Sequence, residues 1–116
     1  MAVKRIVANL PAEDPQALRS FYEALFDLQV VMDHGWILTF ASPEGTKPQL
    51  SVASQGGSGT IVPRISIEVD NVDKIYDLVK AAGHEIVYQI TDEPWGVRRF
   101  YVRDPSGAII NVLEQS

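Results

Sequence analysis

Few side chains in this sequence can do chemistry, and their positions narrow the choice further. The chain has no cysteine and only two histidines, His34 and His84. Without thiols there can be no disulfide, thiolate zinc site, cysteine nucleophile or CxxC redox pair. Any imidazole metal site or proton relay must use one or both histidines. His34 stands in Asp33-His34-Gly35 and His84 follows Gly83, so both fall at turns, in different halves of the chain. They are expected to be solvated, His84 near the negative end of a helix. No GxSxG, P-loop or GxGxxG motif occurs. Gly56-Gly57-Ser58-Gly59 lacks the preceding strand and following helix of a phosphate cradle. Asp92 and Glu93 are adjacent carboxylates in a predicted solvated turn. Arg98-Arg99 has the chemistry to bind carboxylate or phosphate, but reads first as a solvated strand face with one salt bridge. Trp36 and Trp95 offer stacking area for a planar ligand, or cover for core or interface.

Composition sets the frame. The chain has 116 residues, 46% apolar and 22% charged, which is the profile of one globular domain. Its formal charge of −5 disfavours nucleic acid as a partner and mildly favours cationic ligands. No apolar run is long enough to span a membrane. Residues 1–7 are too short and too alternating for a signal peptide, so a cytoplasmic location is expected.

The elements repeat. Ser54–Thr60 is small and polar and reads as a flexible linker near mid-chain. On either side, an alternating strand leads into a helix start at an offset of 57: Ala8 falls on Ile65, Leu10 on Ile67 and Asp14 on Asn71. The first helix is predicted over Pro15–Phe26, with Asp14 as N-cap and a stripe of Leu18, Phe21, Tyr22 and Leu25. The second is predicted over Val72–Ala82, capped by Asn71 and ended by Gly83, with a stripe of Val72, Ile75, Val79 and Ala82. First strands are expected over Val3–Leu10 and Val62–Val69. Three strands follow each helix: Leu28–Met32, Trp36–Ala41 and Gln49–Ala53, then Glu85–Thr91, Val97–Arg103 and Ala108–Glu114. The turns Ser42-Pro43-Glu44-Gly45 and Asp104-Pro105-Ser106-Gly107 punctuate them. The chain reads as one domain made of βαβββ (residues 1–53), a linker (54–60) and a second βαβββ (61–116).

Three stretches carry a family resemblance: Asn9-Leu10-Pro11-Ala12-Glu13-Asp14 leading to Phe21-Tyr22, the strand Ile65–Asp70, and the tail Phe100–Glu114 with its Asp-Pro-x-Gly turn. Through them the sequence resembles the vicinal oxygen chelate superfamily of glyoxalases, bleomycin resistance proteins and extradiol dioxygenases, over essentially its whole length. The resemblance implies an α+β fold in which two βαβββ modules form a curved mixed sheet around a cleft. It also implies relatives that act as homodimers. Catalytic relatives hold a divalent metal through His near the start of a module's first strand and Glu or Gln on its last. That metal stabilises an enediolate or activates oxygen. Here the matching positions are Val7 and Arg64, then Ser51 (or Gln49, in another register) and Asn111. Valine cannot ligate, arginine repels a cation, and Ser and Asn are weak neutral donors. No metal or other cofactor is therefore expected.

Strand alternation places Asn111, Ile109 and Leu113 on one face, and Arg64, Ser66 and Glu68 on another strand's cleft face, with Glu68 as the expected partner of Arg64. On the seventh strand Arg99, Tyr101 and Arg103 oppose Phe100 and Val102, and the pattern leaves open which set faces inward. The candidate ligand-contacting residues are Val7, Ser51, Arg64, Glu68, Trp95, Tyr101, Asn111 and Leu113. This mixed apolar and polar lining suits a small hydrophobic or planar ligand, a cationic one included. The leading expectation is a metal-free binding protein, an antibiotic-sequestering one among the options. The alternatives are a divergent metal-dependent lyase, isomerase or dioxygenase-like enzyme, and a purely structural or regulatory domain.

Overall fold

The computed structural model describes residues 2–43 and 48–115. Glu44 and Gly45 of the predicted turn lie outside them. Along the chain run β1 (Val3–Pro11), a 3-10 turn (Pro15–Leu18), α1 (Arg19–Phe26), β2 (Gln29–Asp33), β3 (Ile37–Ala41), β4 (Gln49–Ala53), β5 (Ile65–Val69), α2 (Val72–Ala81), β6 (Ile86–Asp92), β7 (Val97–Arg103) and β8 (Ile109–Gln115). The fold is α+β, with eight strands of mixed sheet and few helices. No helix among the described residues is long and apolar enough to cross a membrane. Two compact units divide the chain. The first is Val7–Val62, and the second joins the chain up to Ile6 to everything from Pro63 onward.

In the first unit the strand order is β2-β3-β4-β1, with β1 and β4 parallel and the other pairs antiparallel. Alternation sends Leu38, Phe40 and Val52 to one face, where Leu18, Tyr22, Leu28 and Val30 pack on them. Tyr22 of α1 lies over Phe40 at 5.2 Å between ring centres. The single predicted helix is split: Pro15–Leu18 forms a 3-10 turn, and Asp14 makes no side-chain cap bond. A 3-10 turn advances about 120° per residue rather than about 100°, so it rotates the stripe that follows. Leu18 and Tyr22 stay inward, but Phe21 and Leu25, expected in the same stripe, are 50% and 66% exposed. Segment Ser54–Thr60 is less free than its composition suggests. Gly56 N–H donates to Thr60 O (2.8 Å), Thr60 N–H to Gly57 O (3.0 Å) and Gly59 N–H to Gln55 Oε1 (2.9 Å). The closed loop needs positive φ at Gly57, Ser58 and Gly59 in succession, which the two glycines adopt without steric cost.

In the second unit the order is β5-β8-β7-β6, with β5 and β8 parallel. The start of β1 belongs here: Ala2 N–H donates to Asp70 Oδ1 (3.0 Å), and Asp70 N–H returns a bond to Ala2 O (3.2 Å). Val69, Val72, Phe100 and Val112 form the core under α2, with Ile75, Tyr76, Val79, Ile86, Ile90 and Val102 packed around them. Here too a helix tyrosine covers a strand phenylalanine, Tyr76 over Phe100 at 5.0 Å. Helix α2 is closed at both ends. Asn71 Oδ1 accepts from Lys74 N–H (3.1 Å), Glu114 Oε1 accepts from Val72 N–H (3.0 Å), and Gly83 follows the C-cap Ala82 at φ 82°. The turn between β7 and β8 is built by Asp104, whose Oδ1 accepts from Ser106 N–H (2.9 Å), Ser106 Oγ–H (2.7 Å) and Ala108 N–H (3.0 Å). Strand β5 begins only at Ile65, three residues later than expected, because Pro63 interrupts the ladder before it. Arg64 therefore lies outside the strand and is exposed.

Candidate functional site

The face of the second unit opposite α2 gathers most of its chemistry. The ladders put Ser66, Asn111, Tyr101 and Tyr88 side by side in one row, and Glu68, Leu113, Arg99 and Thr91 in the next. This settles which face each side chain of β7 takes. Phe100 packs into the core under α2, and Arg99 and Tyr101 occupy the other face, both buried.

Asn111 is the centre of the first row. It is 7% exposed, and its Nδ2 donates to Ser66 Oγ at 3.0 Å. Its Oδ1 is fully buried and has no hydrogen-bond partner. A buried acceptor left unpaired costs about 1–3 kcal/mol, so natural folds keep few of them. Leu113, also buried, adds apolar wall two residues along the same strand.

Arg99 is the centre of the second row. Its side chain is 4% exposed, and its Nε donates to Glu93 Oε2 at 2.6 Å. Tyr88 O–H donates to the same oxygen at 3.0 Å. The rings of Tyr88, Trp95 and Tyr101 lie 5.0 to 5.3 Å from Arg99 Cζ. Glu93 is therefore no solvated turn carboxylate, and Arg98-Arg99 is no uniformly solvated pair. The two arginines diverge because neighbours on a strand point to opposite faces. Arg98 goes outward to Asp73 (2.9 Å) and Asp92 (3.2 Å), and its bond to Asp73 holds that carboxyl below its ordinary range. Trp95 is half-buried and has one ring face on Arg99.

Glu68 does not meet Arg64. It lies 2.9 Å from Arg5 Nε, an ion pair by distance whose Nε–H is not aligned as a hydrogen bond. Arg64 fails as a partner because it precedes the strand, whereas Arg5 belongs to the start of β1, which is part of this unit.

The other two candidates belong to the first unit. Val7 is buried on β1. Ser51, on β4, stands between Asn9 and Thr39 in the ladders, and its Oγ shares a 2.7 Å hydrogen bond with Thr39 Oγ1. Asn9 corresponds to Ser66 at the repeat offset, so the ladders make Ser51 the counterpart of Asn111. His34 and His84 are exposed loop residues, His34 with its ring stacked 6.1 Å from that of Trp36.

Sequence reasoning passed over Tyr88. Strict alternation groups it with Ile86 and Ile90, which face α2. Register shifts in β6 between Ile86 and Tyr88, and between Tyr88 and Thr91, carry it to the opposite face. Proximity of Glu93 to Arg99 was the available clue to their pairing, since a tight turn between β6 and β7 brings such neighbours together.

The residues at the family's metal positions do not fit a divalent metal. Val7 has no donor atom, Arg64 is cationic, the Ser51 hydroxyl is engaged with Thr39, and Asn111 offers one neutral oxygen. Among the described residues, no three of His, Asp and Glu are grouped as a metal would require.

A family model described as the Glyoxalase/Bleomycin resistance protein/Dioxygenase superfamily matches residues 4–112. Comparison with curated protein sequences finds no match. Solved structures share the fold. An NAD-dependent benzaldehyde dehydrogenase from Legionella pneumophila is 18% identical, with a TM-score of 0.76 over 96% of this chain and 99% of that one. A methylmalonyl-CoA epimerase from Mycobacterium tuberculosis is 14% identical, with a TM-score of 0.67 over 98% and 87%. A superfamily member from Vibrio splendidus is 14% identical, with a TM-score of 0.66 over 99% and 100%.

Proposed function

The chain belongs to the glyoxalase/bleomycin resistance protein/dioxygenase superfamily, and we propose that within it this protein binds a small organic molecule at the Asn111 face without a catalytic metal. The observation that carries this reading is the buried Asn111 Oδ1, which has no partner. A ligand hydroxyl, amide or ammonium hydrogen would satisfy it, with Leu113 supplying apolar contact and Ser66 fixing the carboxamide from the other side. The ligand is small, hydrophobic or planar, and carries at least one hydrogen-bond donor. The protein acts as a cytoplasmic homodimer. The exposed Phe21, Leu25 and Phe26 on α1 support self-association, since apolar patches of this kind mark interaction surfaces.

The test compares the protein with Asn111→Leu by calorimetric titration against planar phenols and amides, with bleomycin as the cationic member of the set. The variant should melt higher in the free state, by about 1 kcal/mol of added stability, because the orphan acceptor is gone. It should also lose the binding that the unmodified protein shows. Equal binding by both proteins would overturn the assignment of the site. Divalent metal retained stoichiometrically through dialysis would overturn the metal-free reading and favour a lyase, isomerase or dioxygenase.

A further inference from the structure

Around Arg99, three aromatic rings and one carboxylate converge on a single cation. The ring centres of Tyr88, Trp95 and Tyr101 stand 5.3, 5.0 and 5.0 Å from Cζ, and Glu93 Oε2 stands 2.6 Å from Nε. Aromatic ring faces with an anion, in a place with little water, are the means by which proteins recognise guanidinium and quaternary ammonium ligands. Here the cation is attached to the chain.

Stability alone does not call for this arrangement. Burying two ions costs about as much as their attraction returns, and an apolar pair of similar volume serves as well or better. The local sequence pattern does not call for it either. Tyr88 reaches Arg99 only because β6 breaks register on both sides of it. Strand irregularities that re-aim a side chain are built features, common beside functional sites. Trp95 is half-buried, so one wall of the enclosure reaches the surface.

We propose that Tyr88, Glu93, Trp95 and Tyr101 form a recognition site for a guanidinium or quaternary ammonium cation, occupied in the free protein by Arg99 as an internal competitor. A cationic ligand enters by displacing that side chain. Tyr101 is the cross-strand neighbour of Asn111, so the two sites adjoin, but this test reads the cation at Trp95 and does not depend on what Asn111 binds.

The experiment uses a Trp36→Phe background, which leaves Trp95 as the only tryptophan. In that background Arg99→Ala empties the enclosure. Choline and guanidinium, at concentrations far below the denaturing range, should then quench Trp95 saturably and raise the melting temperature. Choline should bind the variant roughly tenfold or more tightly than its neutral isostere 3,3-dimethylbutan-1-ol, the preference expected of desolvated cation–ring contacts. The protein that retains Arg99 should bind choline at least about tenfold more weakly than the variant does. Arg99→Met, which fills the space without charge, should also block the site. The proposal is overturned if folded Arg99→Ala does not prefer choline to the isostere, or if Arg99→Met binds choline as tightly. Should Arg99→Ala fail to fold unaided, its refolding is compared in guanidinium and sodium chloride of equal ionic strength. Recovery in guanidinium alone supports the proposal, and equal or absent recovery in the two salts overturns it.

Discussion

The two units repeat one βαβββ scheme and share one packing device, a helix tyrosine laid over a phenylalanine of the strand that follows the hairpin turn. Tyr22 covers Phe40 in the first, and Tyr76 covers Phe100 in the second. On the sheet face away from the helix they part company. In the first unit Asn9, Ser51 and Thr39 line up there, all small, buried and neutral. In the second the equivalent row is Ser66, Asn111 and Tyr101, and the next row holds Arg99, which is paired with the buried Glu93. Helix packing is thus conserved between the repeats because the core requires it. The opposite face is free to diverge, and it is there that an unpaired acceptor and an enclosed cation are found.

The largest expected effect tests that contrast directly. Glu93→Ala leaves the Arg99 guanidinium buried without its carboxylate, and should cost about 3–5 kcal/mol. Thr39→Val in the first unit removes one neutral hydrogen bond, and should cost about 1 kcal/mol. Urea denaturation of the two variants measures the difference. If the first costs no more than the second, the charged face is not the distinct feature of the second unit. The double variant Glu93→Leu with Arg99→Met should recover most of the loss, since apolar replacement of a whole buried pair is often neutral.

Regular periodicity made much of this fold legible. Gln49–Ala53 and Val97–Arg103 were bounded to the residue, because turn formers flank clean alternation. Helix α2 was legible from Asn71 to its last turn, because its cap and its terminating glycine are local signals. Alternation also placed Asn111 with Leu113. The remainder depended on contacts that no local pattern encodes. Tyr88 changes face through register shifts that leave no mark in residue type. Arg5 reaches Glu68 because the beginning of β1 belongs to the second unit, a tertiary fact. Phe21 and Leu25 kept helical spacing and still ended outside, since spacing fixes a stripe and the helix start fixes where it points.

A smaller effect separates the two helix starts. Asn71→Ala removes the side-chain acceptor for Lys74 N–H, and should cost about 1 kcal/mol. Asp14 has the right residue type for a cap but makes no cap bond, so Asp14→Ala should change stability by no more than a few tenths of a kcal/mol. Thermal melts of both variants measure the pair. An equal loss from each would mean that Asp14 does cap its helix in solution.

The smallest effect is that of acid on the second unit. Asp70, Asp73 and Asp104 are held below their ordinary value of 3.8, and all three belong to that unit. The cause is the Ala2 backbone N–H for Asp70, the Arg98 guanidinium for Asp73, and the Ser106 hydroxyl and following amides for Asp104. A carboxyl with a lower pKa folded than unfolded stabilises the fold when ionised. That contribution is complete above the unfolded value and disappears as pH falls through the folded one. Asp70 and Asp73 are exposed and Asp104 is half-buried, so each effect is small. Two-dimensional NMR should show the Ser106 and Ala108 amide signals moving with a midpoint below the ordinary carboxyl value of 3.8, as Asp104 loses the charge that its turn is built on. Asp104→Asn should remove that response and leave the first unit's signals in place. Movement centred above 3.8 would show that the Asp104 turn does not hold its carboxylate as the hydrogen bonds indicate.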